Sequence, residues 1–212
     1  MIREWGYSGR VGEWHITVPG GRGDDLNERS ARFLFVLDCL VSPLKDLHRL
    51  HRAKVDFSIL DEQLEIEQFH EDVELDLTDL EHVPSAFEQL LRDHRRSLIT
   101  RVVFDLDTRV VENTQEVLMP ESAELYIGTA SDAMAGQEVN IFVSYSALID
   151  VWLKKTFGPQ GEIRDNTDAS ESNHPRLQRF LNALAEKLGG SLEKGESVYY
   201  SDFLQDDGFI QK

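Results

Sequence analysis

Residues 53 to 90 hold twelve acidic side chains against one basic one, yet apolar residues recur through much of the stretch at every second position. A block of like charge this dense belongs to a solvated tail unless something apolar anchors it. Here Val55, Phe57, Ile59, Leu64, Ile66, Val73, Leu75 and Leu77 supply the anchor. Period two places alternate side chains on opposite sides of a β-strand, so the pattern predicts strands with one buried and one charged face. A half-apolar sheet in turn requires a second layer to cover it.

The remaining segments supply that layer. Residues 13–18 read as a strand, closed by Pro19, Gly20, Gly21 and Gly23. Asp25 with Glu28 three residues on reads as a helix-opening capping box, and the apolar stretch Phe33 to Val41 follows. Ser42 and Pro43 predict a break there and a second helix presenting Leu44, Leu47 and Leu50. Strands are expected at 54–60, 63–69 and 72–78, the last two pairing as a hairpin. Ser85 and Glu88 form another capping box for a helix that ends in Arg92, Arg95 and Arg96. Residues 98–112, 123–128 and 138–145 are rich in strand formers. A short helix is expected from Ala147 to Phe157, then a flexible loop at 158–174. The clearest helix starts near Pro175, carries Leu177, Phe180, Leu181, Leu184 and Leu188 on one stripe, and stops at Gly189-Gly190; a closing hairpin turning at Lys194-Gly195 follows. The expected fold is a single α+β domain over 1–212, a mostly antiparallel sheet with helices packed on one face.

Charge limits function. The chain totals −17, and −11 of it lies in residues 53–90. That sign opposes a phosphate backbone and an anionic membrane, both of which need clustered Lys and Arg. The single cysteine, Cys39, makes no internal disulfide, and residues 1–20 lack a signal-peptide layout, so a cytoplasmic location is expected.

Two enzyme-like patterns compete with a binding role. Val102-Val103-Phe104-Asp105-Leu106-Asp107-Thr108 resembles the first motif of the haloacid-dehalogenase-like phosphatases. That resemblance implies Asp105 as nucleophile and Asp107 as acid/base beside Mg²⁺, with Lys154 or Lys155 and Asp206-Asp207 completing the site. The same string also reads as a plain strand showing Arg101, Asp105, Asp107 and Arg109 to cross-strand charges. His48 and His51, three apart, with His70, His82 or His94, outline a metal site that lacks a fixed third ligand, so neither metal nor cofactor is expected.

The acidic hairpin offers Glu65, Glu67, Glu74 and Asp76 on the face opposite its apolar residues. Like charges opposite one another cost about 0.2–1 kcal/mol per pair, which something must offset. Internal neutralisation by Arg92, Arg95, Arg96, Arg101 and Arg109 is one answer, and a basic protein partner is the other. At the C-terminal end, Asn173-His174-Pro175 leading an amphipathic helix to Leu188-Gly189-Gly190, then Ser191-Leu192-Glu193 and Glu196-Ser197-Val198-Tyr199, resembles the closing element of bacterial polymorphic-toxin immunity proteins. The resemblance implies a small α+β inhibitor that sets acidic surface against a basic toxin domain. The expected function is therefore a non-enzymatic protein-binding module acting through Glu65, Glu67, Glu74 and Asp76, and the alternative is a Mg-dependent phosphohydrolase using Asp105 and Asp107.

Overall fold

The computed structural model describes residues 10–18, 26–63, 65–77, 79–94, 96–129, 139–146, 151–157, 162–195, 204–205 and 208–209. In chain order these form β1 (Arg10–Val18), α1 (Leu26–Leu47), β2 (His48–Leu60), β3 (Ile66–Leu75), a 3₁₀ turn (Leu80–His82), α2 (Val83–Asp93), β4 (Ser97–Glu112), β5 (Gln115–Thr129) and β6 (Val139–Ser146). Then follow β7 (Lys155–Phe157), β8 (Ile163–Asp165), α3 (Thr167–Leu188), β9 (Ser191–Lys194), β10 (Leu204–Gln205) and β11 (Gly208–Phe209). Seven strands make one antiparallel sheet in the order β3-β2-β4-β5-β6-β1-β9. This is the expected α+β architecture.

One face of the sheet is apolar because each strand alternates. Val55 and Phe57 of β2, Val102, Phe104 and Leu106 of β4, Leu125 and Ile127 of β5, Ile141 and Val143 of β6 and Trp14 and Ile16 of β1 are all buried in a single cluster with the helices. α1 contributes Phe33, Val36, Leu37, Leu40, Leu44 and Leu47 at three- and four-residue spacing, and α3 contributes Leu177, Phe180, Leu181, Leu184 and Leu188. α3 ends where Gly189 takes a left-handed φ of 61°, and the Gly190 N–H reaches back to the Ala185 carbonyl at 3.2 Å. At Gly190 the helix end passes so close to β1 that a Cβ would sit 2.7 Å from the Thr17 carbonyl oxygen.

Several expectations are corrected. α1 does not break at Pro43 but runs on to Leu47, and β2 begins at the next residue, so His48, Leu50 and His51 are strand residues. A helix-interior proline costs about 3 kcal/mol. Burying Leu40, Leu44 and Leu47 around it offsets that, at roughly 1.5–3 kcal/mol each. The 63–69 and 72–78 segments do not pair with each other. Their residues from Ile66 to Leu75 form one strand, β3, which pairs with β2 after a turn where the Asp61 carboxylate accepts the Gln63 and Glu65 N–H groups at 2.8 and 2.9 Å. The apolar pattern changes phase near residue 70 because β3 is bulged: Glu71 and Asp72 both lie opposite Asp56, with Asp72 at φ 50°. α2 starts at Val83, before the Ser85–Glu88 pair, and the Ser85 hydroxyl donates to the His82 carbonyl instead.

The described parts of the expected helix at 147–157 and loop at 158–174 are also replaced, residues 147–150 and 158–161 lying outside the described residues. Residues 151–154 form a turn and β7 pairs with β8, while α3 already begins at Thr167. Tertiary hydrogen bonds decide this. The Trp152, Leu153 and Lys154 carbonyls accept from the Ser170 hydroxyl, the Asn166 amide and the Asn166 N–H at 3.2, 3.1 and 2.8 Å. Buried Asn173 binds both the Val111 N–H (2.7 Å) and the Val111 carbonyl (2.8 Å), standing in for another strand at that point of β4. The Pro19–Gly23 turn, the Asp25 cap, Leu64, Arg95, the second arm of the closing hairpin with Tyr199, and Asp206-Asp207 lie outside the described residues.

Candidate functional site

The acidic side chains of the sheet divide into two groups. The first lies on the face turned away from the helices and is tied to arginine. Arg101 on β4 reaches Asp56 at 2.6 Å and Asp72 at 2.8 Å, while the Asp72 N–H donates to Asp56 at 2.8 Å, so one guanidinium holds both carboxylates at the bulge. Arg52 pairs with Asp105 across β2 and β4 at 2.6 Å. Arg49 pairs with Asp107 at 2.6 Å.

Asp107 is the most enclosed of these, its side chain only 1% exposed. Irregularities on both neighbouring strands bring partners to it: His51 is an extra residue on β2, and residues 120–122 of β5 bulge opposite Asp107. Its carboxylate accepts the Glu121 N–H at 3.0 Å and lies 3.3 Å from His51 Nδ1, whose Nε2 in turn faces Glu121 at 3.3 Å. Burial pushes the Asp107 carboxyl up, but the Glu121 N–H and the Arg49 guanidinium outweigh it and hold the group below its ordinary value. Asp107 is thus an ionised structural anchor in mid-strand.

The second group is the one singled out by sequence. Glu65, Glu67, Glu74 and Asp76 are all exposed, and among the described residues none of the four side chains forms an ion pair or a hydrogen bond. Beyond the bulge the arginines form no further ion pair with these acids among the described residues, and only Arg52, already held by Asp105, feels Glu74. Arg101 serves Asp56 and Asp72, Arg92 pairs with Glu88 along α2 at 3.3 Å, and Arg109 donates to the Lys45 carbonyl. Glu67 and Glu74 lie on β3, the sheet's terminal strand, with Glu65 and Asp76 flanking it. The acidic surface is therefore an edge and not a separate hairpin.

Two apolar residues on the same strand were not expected at the site: Ile66, read as part of the buried apolar face, is exposed instead, and Phe69 carried no assignment. Ile66 is 66% exposed and Phe69 53% exposed. Their cross-strand partners, Leu60 and Ser58, are two apart on β2, so both side chains point to the same face, the one that carries Arg101 and Lys54. The irregularity between the Ile59 and Leu60 pairings makes this possible for residues three apart. The phase change in the apolar pattern was the available signal, and its cause is a bulge where a turn was expected.

The other candidates are dispersed. Asp105 and Asp107 sit inside β4, which continues five residues beyond Asp107 in a fully antiparallel sheet, and both carboxylates are held by arginines. Lys154 lies 3.9 Å from Glu171, and Lys155 opens β7. His48 is core: its Nε2 lies 3.0 Å from the Tyr145 hydroxyl, and burial lowers its pKa to about 3. His70 and His94 flank Phe57, with ring centroids 4.6 and 5.2 Å from it. Among the described residues no three His, Cys, Asp or Glu side chains converge as a metal site. Cys39 is half-buried in α1, where burial and then Asp38 push its thiol pKa up and away from reactivity. No helix of the described chain is long and apolar enough to cross a membrane. No protein-family model matches the sequence, and neither curated proteins nor solved structures yielded a match.

Proposed function

We propose that this chain is a protein-binding module, an inhibitor of the immunity type, that receives a basic partner on the acidic edge of its sheet. The observation that carries the reading is the contrast between carboxylates. Asp56, Asp72, Asp105 and Asp107 are neutralised by arginines, whereas the exposed Glu65, Glu67, Glu74 and Asp76 enter no ion pair or side-chain hydrogen bond found among the described residues, and Glu74 feels only an Arg52 that Asp105 already holds. Ile66 and Phe69 lie among the unpaired acids. An exposed aromatic with an aliphatic neighbour, ringed by charge of one sign, has the make-up of a binding hot spot with a steering rim. The C-terminal resemblance to immunity proteins supports the same class, as does the net charge of −17, which suits a basic toxin domain.

The test is the affinity of the purified chain for the product of the gene adjacent to its own. Combined Glu65→Lys, Glu67→Lys, Glu74→Lys and Asp76→Lys removes four attractions and adds four repulsions. At about 0.2–1 kcal/mol each this weakens binding by at least ~10-fold, and the salt dependence drops with it. Circular dichroism should be unchanged, because the four exposed side chains make no ion pair or hydrogen bond among the described residues. Unchanged affinity, or a basic partner that does not bind at all, would refute the assignment.

A further inference from the structure

We propose that the partner is captured as a strand: an extended basic segment adds to the free edge of β3 and extends the seven-stranded sheet by one. This rests on the protein-binding reading above and specifies how binding occurs. β3 is ten residues long and, among the described residues, is hydrogen-bonded on the β2 side only. In an antiparallel pair alternate residues turn their N–H and C=O groups away from the neighbour, so β3 offers about five residues' worth of unused backbone groups. The opposite edge, β9, is four residues long.

Sheet edges are ordinarily blunted by proline, by lysine, by brevity or by a covering element. β3 reads Ile-Glu-Gln-Phe-His-Glu-Asp-Val-Glu-Leu, with neither proline nor lysine, and its devices are the bulge at Asp72 and four acidic side chains. Those acids are selective. A second copy of β3 would set four acids against four, and like charges facing one another across a strand pair repel. A segment bearing Lys or Arg replaces each repulsion with an attraction. The edge is closed to self-association and open to a strand of opposite charge.

The side chains also specify a pattern. Ile66 and Phe69 share one face near the start of β3, and Glu74, which stands in register with Lys54 of β2, lies on that face near its end. A strand laid alongside would place apolar residues by Ile66 and Phe69 and cations by Glu71 and Glu74. Arg101 already occupies Asp72, so the segment's charge falls on Glu67, Glu71 and Glu74.

Two synthetic ten-residue peptides of alternating Val and Lys, one unmodified and one N-methylated at every backbone nitrogen, test this on the full chain. Both carry the same charge and side chains, and only the first can donate ladder hydrogen bonds to β3. Amide hydrogen exchange across Ile66–Leu75 should slow at least tenfold with the first peptide, and the second should bind at least tenfold more weakly. Equal binding of the two, or exchange in β3 left unchanged, overturns strand addition, while charge reversal still weakening the natural partner would leave the protein-binding reading standing. If neither peptide binds, strand addition also fails. A dimer in sedimentation that disappears on Glu74→Lys would show that the edge pairs with itself, against the charge argument.

Discussion

Replacing Asp107 should cost far more stability than replacing any acid on the β3 edge, and the structure gives the size of the difference. The Asp107 side chain is 1% exposed and accepts the Glu121 N–H at 3.0 Å and the Arg49 guanidinium at 2.6 Å. In Asp107→Ala the part-buried Glu121 N–H loses a charged acceptor, at about 1.5–3 kcal/mol. The severed pair with Arg49 adds less than a wholly buried pair would, because Arg49 is 59% exposed and returns to water, so we expect a total of about 2–4 kcal/mol. For a domain of this size that is a fall in Tm of roughly 5–15 °C. Glu67→Ala and Glu74→Ala, whose exposed side chains form no ion pair or hydrogen bond among the described residues, should stay within about 0.5 kcal/mol. Urea unfolding of the three variants measures this. The Asp107 carboxyl has a folded-state pKa below its unfolded one, so its contribution is present above the unfolded value near 4 and is lost as pH falls through the folded value. The gap between wild type and Asp107→Asn should therefore narrow below about pH 4. An Asp107→Ala loss below 0.5 kcal/mol, or an equal loss in Glu74→Ala, would refute the division of the acids into anchored and free groups.

Further outcomes follow from the same contacts. Ile66→Ser with Phe69→Ser should leave the urea midpoint nearly unchanged, since both side chains are more than half exposed, but should weaken partner binding at least tenfold in calorimetry. His48 is buried neutral with its pKa lowered to about 3, so the unfolded chain binds a proton that the folded chain refuses between about pH 6.5 and pH 3. Its contribution to stability therefore falls on acidification, by about 2 kcal/mol from pH 6.5 to pH 5, and the His48 ring protons should show no titration in NMR above pH 4. A His48 that titrates near 6.5 would contradict the burial argument. Asn173→Ala should cost about 2–3 kcal/mol, because it strands both the N–H and the carbonyl of Val111; a loss under 0.5 kcal/mol would mean water replaces the side chain without penalty.

What could be read from the residues was mostly what local periodicity controls. The alternation in β2, β4 and β6 and the stripe Leu177–Leu188 of α3 predict those elements, because each segment's own burial decides its conformation. The failures share a cause in long-range contacts. Pro43 signalled a break that the buried leucines around it override, and residues 167–174 lacked apolar periodicity because Ser170 and Asn173 are buried polar residues satisfied by the Trp152 and Val111 backbones. The hairpin between β4 and β5 turns on Asn113-Thr114 with φ values of 50° and 67°, a geometry that disfavours a threonine and so gave little warning. For the site, the four acids were visible as charge, but sequence could not separate them from Asp56 and Asp72, which have Arg101 within reach, Asp56 being buried as well. Ile66 and Phe69 were hidden by the β3 irregularities, which move their side chains to a face that strict alternation does not assign them.

The most direct measurement is a hydrogen-exchange footprint of the full chain with and without the protein encoded beside it. Protection concentrated in Ile66–Leu75 and its flanks at Glu65 and Asp76, weakening as salt is raised, is the expected result. Protection centred on α1 and α3 with β3 unchanged would contradict the assignment of the acidic edge as the docking surface.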